Sequence, residues 1–177
     1  MATLLLFGGA YPALVLGTGR LAFPAQASGS LVERDGAVIG SALIGQRFES
    51  ERYFSGRPSA VDYDAASAGG SNLATSTPGY QAAVAARVAD VRRREGLSAG
   101  TPVPADLVQA SGAGLDPHIS PEAAYLQVPR VARARGKDEA DVRAVVASRV
   151  EPPWLGLFGE PRVNVLLLNL ALDEATR

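Results

Sequence analysis

Three hydrophobic patterns follow one another along the chain. From Ala2 to Gly19 no residue is charged, and Arg20 is followed by Leu21-Ala22-Phe23 and then Pro24. A helix from Ala2 to Phe23 is about 33 Å long at about 1.5 Å per residue, enough to cross a hydrocarbon core of about 30 Å. Gly8, Gly9 and Pro12 weaken a soluble helix but are tolerated in a membrane span. The second pattern is short. Leu31 to Arg34 and Ala37 to Ile44 flank Asp35-Gly36, a pair suited to a hairpin turn with two left-handed residues, and Gly40 suits a bulge. The third pattern is helical. Val84, Val88 and Val91 recur at i, i+4, i+7 and predict a helix from Tyr80 to Glu95 ended by Gly96.

Further helices follow from caps and spacing. Ser120 is a good N-cap with Pro121 at the first helical position and Glu122 in the first turn. Pro129 is expected to kink or divide that helix, and Gly136 ends it. Asp138 caps a helix from Glu139 to about Arg149 with an apolar stripe of Val142, Val145, Val146 and Val150. The pair is expected to form an antiparallel helical hairpin. Pro161 opens a last helix over about 161–174, buried through Val163, Leu166, Leu167 and Leu170. A strand over Val165–Leu172 is the alternative, and Asn164 and Asn169 then need buried partners. The fold class expected is α+β. One N-terminal transmembrane helix (residues 1–24) precedes a small mixed domain (25–177), whose antiparallel sheet, begun at the Asp35-Gly36 hairpin, is covered by helices. A signal peptide cleaved near Ala27, after Ala25-Gln26-Ala27, is the rival to an uncleaved span.

Composition narrows the function classes. The chain has 177 residues, 47% of them hydrophobic, enough for one sizeable core. A net charge of −1 gives no support to nucleic-acid binding. The absence of cysteine rules out disulfides and thiolate metal sites, and a single histidine rules out a multi-histidine metal centre within one chain.

Candidate chemistry concentrates in two stretches. Arg52-Tyr53-Phe54-Ser55-Gly56-Arg57 places arginines beside aromatic rings, either a partner surface or a cation–π staple. Asp62 and Asp64 alternate as on a strand face, and Gly69-Gly70-Ser71-Asn72 offers backbone N–H groups to an oxyanion. The stretch from Ser111 to Gly136 holds Asp116, the sole histidine His118, Ser120, Gln127 and Arg130. Asp, His and Ser at a helix start invite a hydrolase reading, in which a secreted enzyme uses His118. No Gly-x-Ser-x-Gly elbow accompanies them, and neighbours this close rarely attain triad geometry.

Six separated stretches carry a resemblance over almost the whole length. They are GSLVERDGAVIGSALIGQ (29–46), RYFSGRPSA (52–60), YDAASAGGSN (63–72), SGAGLDPHISPEAA (111–124), QVPRVARARG (127–136) and LGLFGEPRVNVLLLNLALD (155–173). Together they resemble the C subunit of the Kdp potassium-transporting ATPase complex. Ser55 departs from the tryptophan usual there, Tyr125-Leu126-Gln127 from the common Leu-Tyr-Gln order, and no basic residue precedes the span. The resemblance implies a non-catalytic inner-membrane subunit. Its implied partners are a channel-like potassium-translocating subunit, a P-type ATP-hydrolysing subunit and a small single-span subunit, and potassium is the substrate of the complex. Two roles are implied. One is a catalytic chaperone that raises the pump's affinity for ATP, with Gln127 as a transient nucleotide contact. The other is stabilisation of the complex from the extracytoplasmic side, the location we expect. Tyr53, Phe54, Arg57, Asp116, His118 and Arg130 are the candidate partner surface.

Overall fold

Pro12 lacks an N–H, and its ring clashes with the carbonyl four residues back in a regular α-helix. The chain meets this with one wider turn. In the computed structural model, which describes residues 1–175, helix α1 (Ala2–Leu5) passes through a π-turn (Leu6–Ala10) into α2 (Tyr11–Ala22). The Tyr11 N–H donates to the Leu6 carbonyl, five residues back. The Thr18 hydroxyl bonds the carbonyls of Leu14 (2.9 Å) and Val15 (3.0 Å), so it presents no unsatisfied polar group. The whole helix, Ala2–Ala22, is long and apolar enough to cross a membrane, and none of its residues is buried within the chain. Pro24 then starts the short helix α3 (Pro24–Ala27).

The chain forms two units, Met1–Leu43 and Ile44 onward. The hairpin belongs to the first. Strands β1 (Leu31–Arg34) and β2 (Ala37–Ser41) pair antiparallel, with Asp35 (φ 52°) and Gly36 (φ 79°) both left-handed at the turn. The register slips between Val32 and Glu33, which leaves Ile39 as the extra residue beside Gly40.

The second unit has its own sheet, which corrects the expectation that the hairpin begins it. Strands β3 (His118–Ile119), β4 (Val150–Glu151) and β5 (Arg162–Asn164) form an antiparallel sheet in the order β3-β5-β4. Val163 faces both Ile119 and Val150 in the ladder and is fully buried. Its helices are α4 (Pro78–Glu95), α5 (Pro121–Arg135), α6 (Glu139–Ser148) and α7 (Val165–Ala175). The α+β class holds.

Caps fix the helix ends. The Thr77 hydroxyl accepts from the Tyr80 N–H and that of Ser120 from the Ala123 N–H, while Gly96 and Gly136 close α4 and α5 in left-handed conformations. Asp138 stands at the N-cap of α6 without a side-chain capping bond. Two helix expectations need correction. Pro129 does not divide α5, which runs unbroken to Arg135 because Val128, Val131 and Ala132 around it are locked in the core. Pro161 does not open the last helix. Residues 162–164 are captured as the central strand of the sheet, and α7 starts only at Val165, where the Asn164 side chain accepts the Leu167 N–H at 3.2 Å. The core joins Phe54, Val91 and Leu107 to apolar faces of α5, α6 and α7.

Candidate functional site

The predicted residues fall into two groups with different surroundings. The first is a buried polar clamp around the loop 51–55. Among the described residues no strand pairs with this loop, yet each of its five successive carbonyls accepts a hydrogen bond from a side chain. Arg130 Nη1 donates to Glu51 (2.6 Å) and Tyr53 (3.1 Å), and Arg135 Nε donates to Arg52 (2.7 Å). Asn169 Nδ2 donates to Phe54 (3.0 Å) and Gln127 Nε2 to Ser55 (3.1 Å). The amide oxygens close the pairs: Asn169 Oδ1 accepts the Phe54 N–H and Gln127 Oε1 the Ser55 N–H, both at 2.8 Å. Two side-chain amides thus stand in for the edge of a sheet.

Gln127 has no exposed surface and uses both ends of its amide. Its oxygen also accepts Arg130 Nη2 (2.9 Å) and its nitrogen also donates to the Ala123 carbonyl (3.2 Å). Arg130 is buried, and burial pushes its pKa down while the charge of Glu95 opposes the shift. Arg130 Nε lies 3.0 Å from both Glu95 oxygens. Glu95 is the last residue of α4, where a helix disfavours negative charge, and Arg94 Nε at 2.9 Å adds a second cation. Phe54 is fully buried, so its ring fills the core and presents no face to a partner. Tyr53 is half-buried; the Arg135 guanidinium stacks over its ring at 5.0 Å, and both reach Asp173. The arginine–aromatic spacing therefore makes a staple, with Arg135 as its cation.

The second group surrounds Asp116. Arg57 Nη1 donates to Asp116 Oδ2 (3.0 Å), the His118 N–H donates to Asp116 Oδ1 (2.9 Å), and His118 Nδ1 lies 3.5 Å from the same oxygen. The His118 side chain, its backbone N–H and Arg57 together hold the Asp116 carboxyl down at about 2 against partial burial. Loop packing places it there. The Gly45 N–H donates to the Leu115 carbonyl (2.8 Å), and a Cβ on Gly45 would lie 2.6 Å from the Asp116 carbonyl oxygen. Arg57, Asp116 and His118 line one open groove of about 1060 Å³, with Asp106, Glu122 and Arg162 on its walls. Ser120 also lines it, but its hydroxyl is engaged in capping α5. The groove is a mixed-charge surface rather than a nucleophile–base pair.

The remaining polar candidates are structural. Asp62 and Asp64 lie in a turn, not on a strand. Asp62 pairs with Arg47, and Asp64 caps a 3-10 turn, where the Ser67 hydroxyl first and the Ala66 N–H second hold its carboxyl below the usual range. The Gly69 N–H donates to the Ala113 carbonyl at 2.9 Å, so it is spent on loop packing. Among the described residues no group of acidic or histidine side chains could hold a metal ion. Sequence reasoning missed the carboxylate of Glu95 and the loop-binding role of Asn169. For Asn169 the signal was its position, a single amide inside the apolar run Leu166–Leu172.

Comparison with known proteins agrees along the whole length. The family model described as "KdpC: K+-transporting ATPase, c chain" matches residues 1–174. A "Potassium-transporting ATPase KdpC subunit" of Methylobacterium nodulans is 53% identical over 189 residues, covering 98% of this chain and 92% of that protein. Proteins of the same name from Sorangium cellulosum (57% over 173 residues; 96% and 90% covered) and Caldanaerobacter subterraneus subsp. tengcongensis (50% over 171 residues; 97% and 89%) are similar in extent. With the match running from the apolar helix through the clamp to α7, the chain belongs to the KdpC family, the c chains of K+-transporting ATPases.

Proposed function

We propose that this chain is the accessory, non-hydrolytic subunit of an ATP-driven potassium uptake pump in the bacterial inner membrane. The observation that carries the reading is the family match over residues 1–174, together with relatives named as subunits of a potassium-transporting ATPase. Helix Ala2–Ala22 is the single span, and the residues from 25 onward form the soluble domain, on the extracytoplasmic side. An N-terminus left inside and a translocated domain is the simplest topology. The partners are a channel-like potassium-translocating subunit, a P-type ATP-hydrolysing subunit and a small single-span subunit; potassium is the cargo of the assembly. The open face carrying Arg57, Asp116 and His118 is the candidate partner surface.

The chain stabilises the complex and acts as a catalytic chaperone that raises the ATP affinity of the hydrolysing subunit. ATP is cytoplasmic, so a domain on the outer side exerts this effect through the assembly. The enclosed amide of Gln127 supports such an indirect route: its four hydrogen bonds are spent on the loop, on Arg130 and on α5.

Purification of the full chain from native membranes tests the reading. Co-purification of a large multi-span partner is expected, and a chain isolated alone, with residues 1–27 missing by intact mass, sinks it in favour of the secreted protein. Added protease should digest the domain in intact spheroplasts; protection overturns the outer location.

A further inference from the structure

The loop between β4 and β5 does something unusual with its apolar residues. Trp154, Leu155, Leu157 and Phe158 remain 70%, 71%, 80% and 61% exposed. Large apolar side chains scattered singly on a surface need no explanation, but four on one tight loop mark a contact. The loop is ordered by its own bonds. The Trp154 N–H donates to the Phe158 carbonyl (2.9 Å), and the N–H groups of Gly156, Leu157 and Phe158 donate back to Pro153 and Trp154. The Trp154 and Phe158 rings touch, with centroids 5.8 Å apart. Leu155 holds a left-handed φ of 54° to make the turn, a conformation disfavoured for a residue with a branched side chain. Pro152 and Pro153 have no N–H to leave unpaired. The tip therefore presents apolar side chains over a backbone whose N–H donors from Trp154 to Phe158, Leu155 apart, are bonded within the loop. That is the condition for leaving water. No charged residue lies between Glu151 and Glu160, and Glu151 pairs with Arg162 at the base of the loop (2.9 Å).

We infer that the loop 152–159 is a membrane-interface anchor, which seats Trp154, Leu155, Leu157 and Phe158 in the headgroup region of the bilayer that the chain's own helix crosses. The inference rests on the reading of Ala2–Ala22 as a span, because a span tethers the chain to a bilayer. Tryptophan and phenylalanine beside leucine, without charge, match the composition that settles at the membrane–water boundary. The high exposure of all four side chains favours a fluid medium that closes around the tip over a socket that receives one face. The absence of lysine or arginine within the loop makes the contact one with the lipid chains and carbonyl region, indifferent to lipid charge.

Trp154 is the only tryptophan in the chain, so its fluorescence reports on this loop alone. The full chain is reconstituted into phosphatidylcholine vesicles containing lipids brominated either near the carbonyl end or near the methyl end of the acyl chain. Insertion to roughly 5–10 Å predicts stronger loss of Trp154 emission with the shallow bromines. The variant Leu155→Ser/Leu157→Ser/Phe158→Ser, whose changed residues lie outside the core, should keep its thermal melt and lose most of that quenching. Adding anionic lipid should leave the quenching unchanged. Carbonate washing separates the two readings. A chain washed off the vesicles overturns the span and the anchor with it. A chain that stays embedded with Trp154 unquenched overturns the anchor alone, as does quenching equal in wild type and variant. Shielding of Trp154 that arises only in the co-purified complex assigns the loop to a protein partner and overturns the lipid contact.

Discussion

Replacing Gln127 by alanine tests the clamp most directly. The side chain is fully buried and makes four hydrogen bonds, two of them to Ser55. Truncation leaves the Ser55 N–H and carbonyl without partners and takes one acceptor from Arg130. Each orphaned buried group costs about 1–3 kcal/mol. Ser55 is only half-buried, so water recovers part of the loss. The Ala123 carbonyl keeps its helical bond. The sum is a destabilisation of about 2–4 kcal/mol. With a urea m-value of about 2 kcal/mol/M, the midpoint should fall by roughly 1–2 M. Far-UV circular dichroism of the full chain during urea unfolding reads this. Gln127→Glu should be harmful too, because it turns the donor into a second acceptor facing the carbonyls of Ser55 and Ala123. A Gln127→Ala midpoint within roughly 0.3 M of wild type would refute the reasoning. The same variant separates the two routes to ATP affinity. Asn169→Ala loosens the neighbouring residue of the same loop, Phe54. If the effect runs through the loop, both variants weaken apparent ATP affinity of the assembled pump in parallel; a loss confined to Gln127→Ala at matched stability points instead to direct nucleotide contact.

Three further outcomes follow from the geometry. Arg130→Ala removes the main partner of a buried Glu95 and should cost about 3–5 kcal/mol in urea unfolding, with Arg130→Lys recovering only part because one ammonium cannot reach Glu95, Glu51, Tyr53 and Gln127 together. The Asp116 carboxyl lies below its ordinary value of 3.8, at about 2, so its contribution is complete above that ordinary value and is lost as pH falls through about 2. With its partial exposure the contribution is about 1 kcal/mol, and the wild-type advantage over Asp116→Asn in thermal or urea unfolding should disappear across that window. Gly45→Ala would press a Cβ to 2.6 Å from the Asp116 carbonyl oxygen and should cost about 1–3 kcal/mol in urea unfolding, whereas Gly100→Ala, with open space at its Cβ, should be near neutral.

Local chemistry was legible where the chain itself decides. The Ser120-Pro121 start, the Gly96 and Gly136 stops and the Asp35-Gly36 turn all formed as their residues dictate. The sheet of the second unit was not legible, because β3, β4 and β5 are two or three residues long and carry no alternation. Val163 reads equally as a helical residue until Ile119 and Val150 flank it. Pro129 misled for the same reason: tertiary packing outweighed one missing helical bond. At the site, the polarity of Gln127 and Arg130 drew attention to the right stretch. Their partners lie 72 and 35 residues away, at Ser55 and Glu95, and no local pattern reveals whether a polar side chain faces solvent or a distant backbone.

The side-chain grip on five successive carbonyls has an evolutionary consequence. The clamp recognises the main chain of 51–55, and every residue type supplies the same main-chain carbonyl. The path of the loop is thereby encoded in α5 and α7, while its outward lettering is left free. Ser55 is one such letter, a half-buried residue on a gripped peptide. Its peptide is still held by both ends of the Gln127 amide, so the surface can be rewritten without redrawing the path.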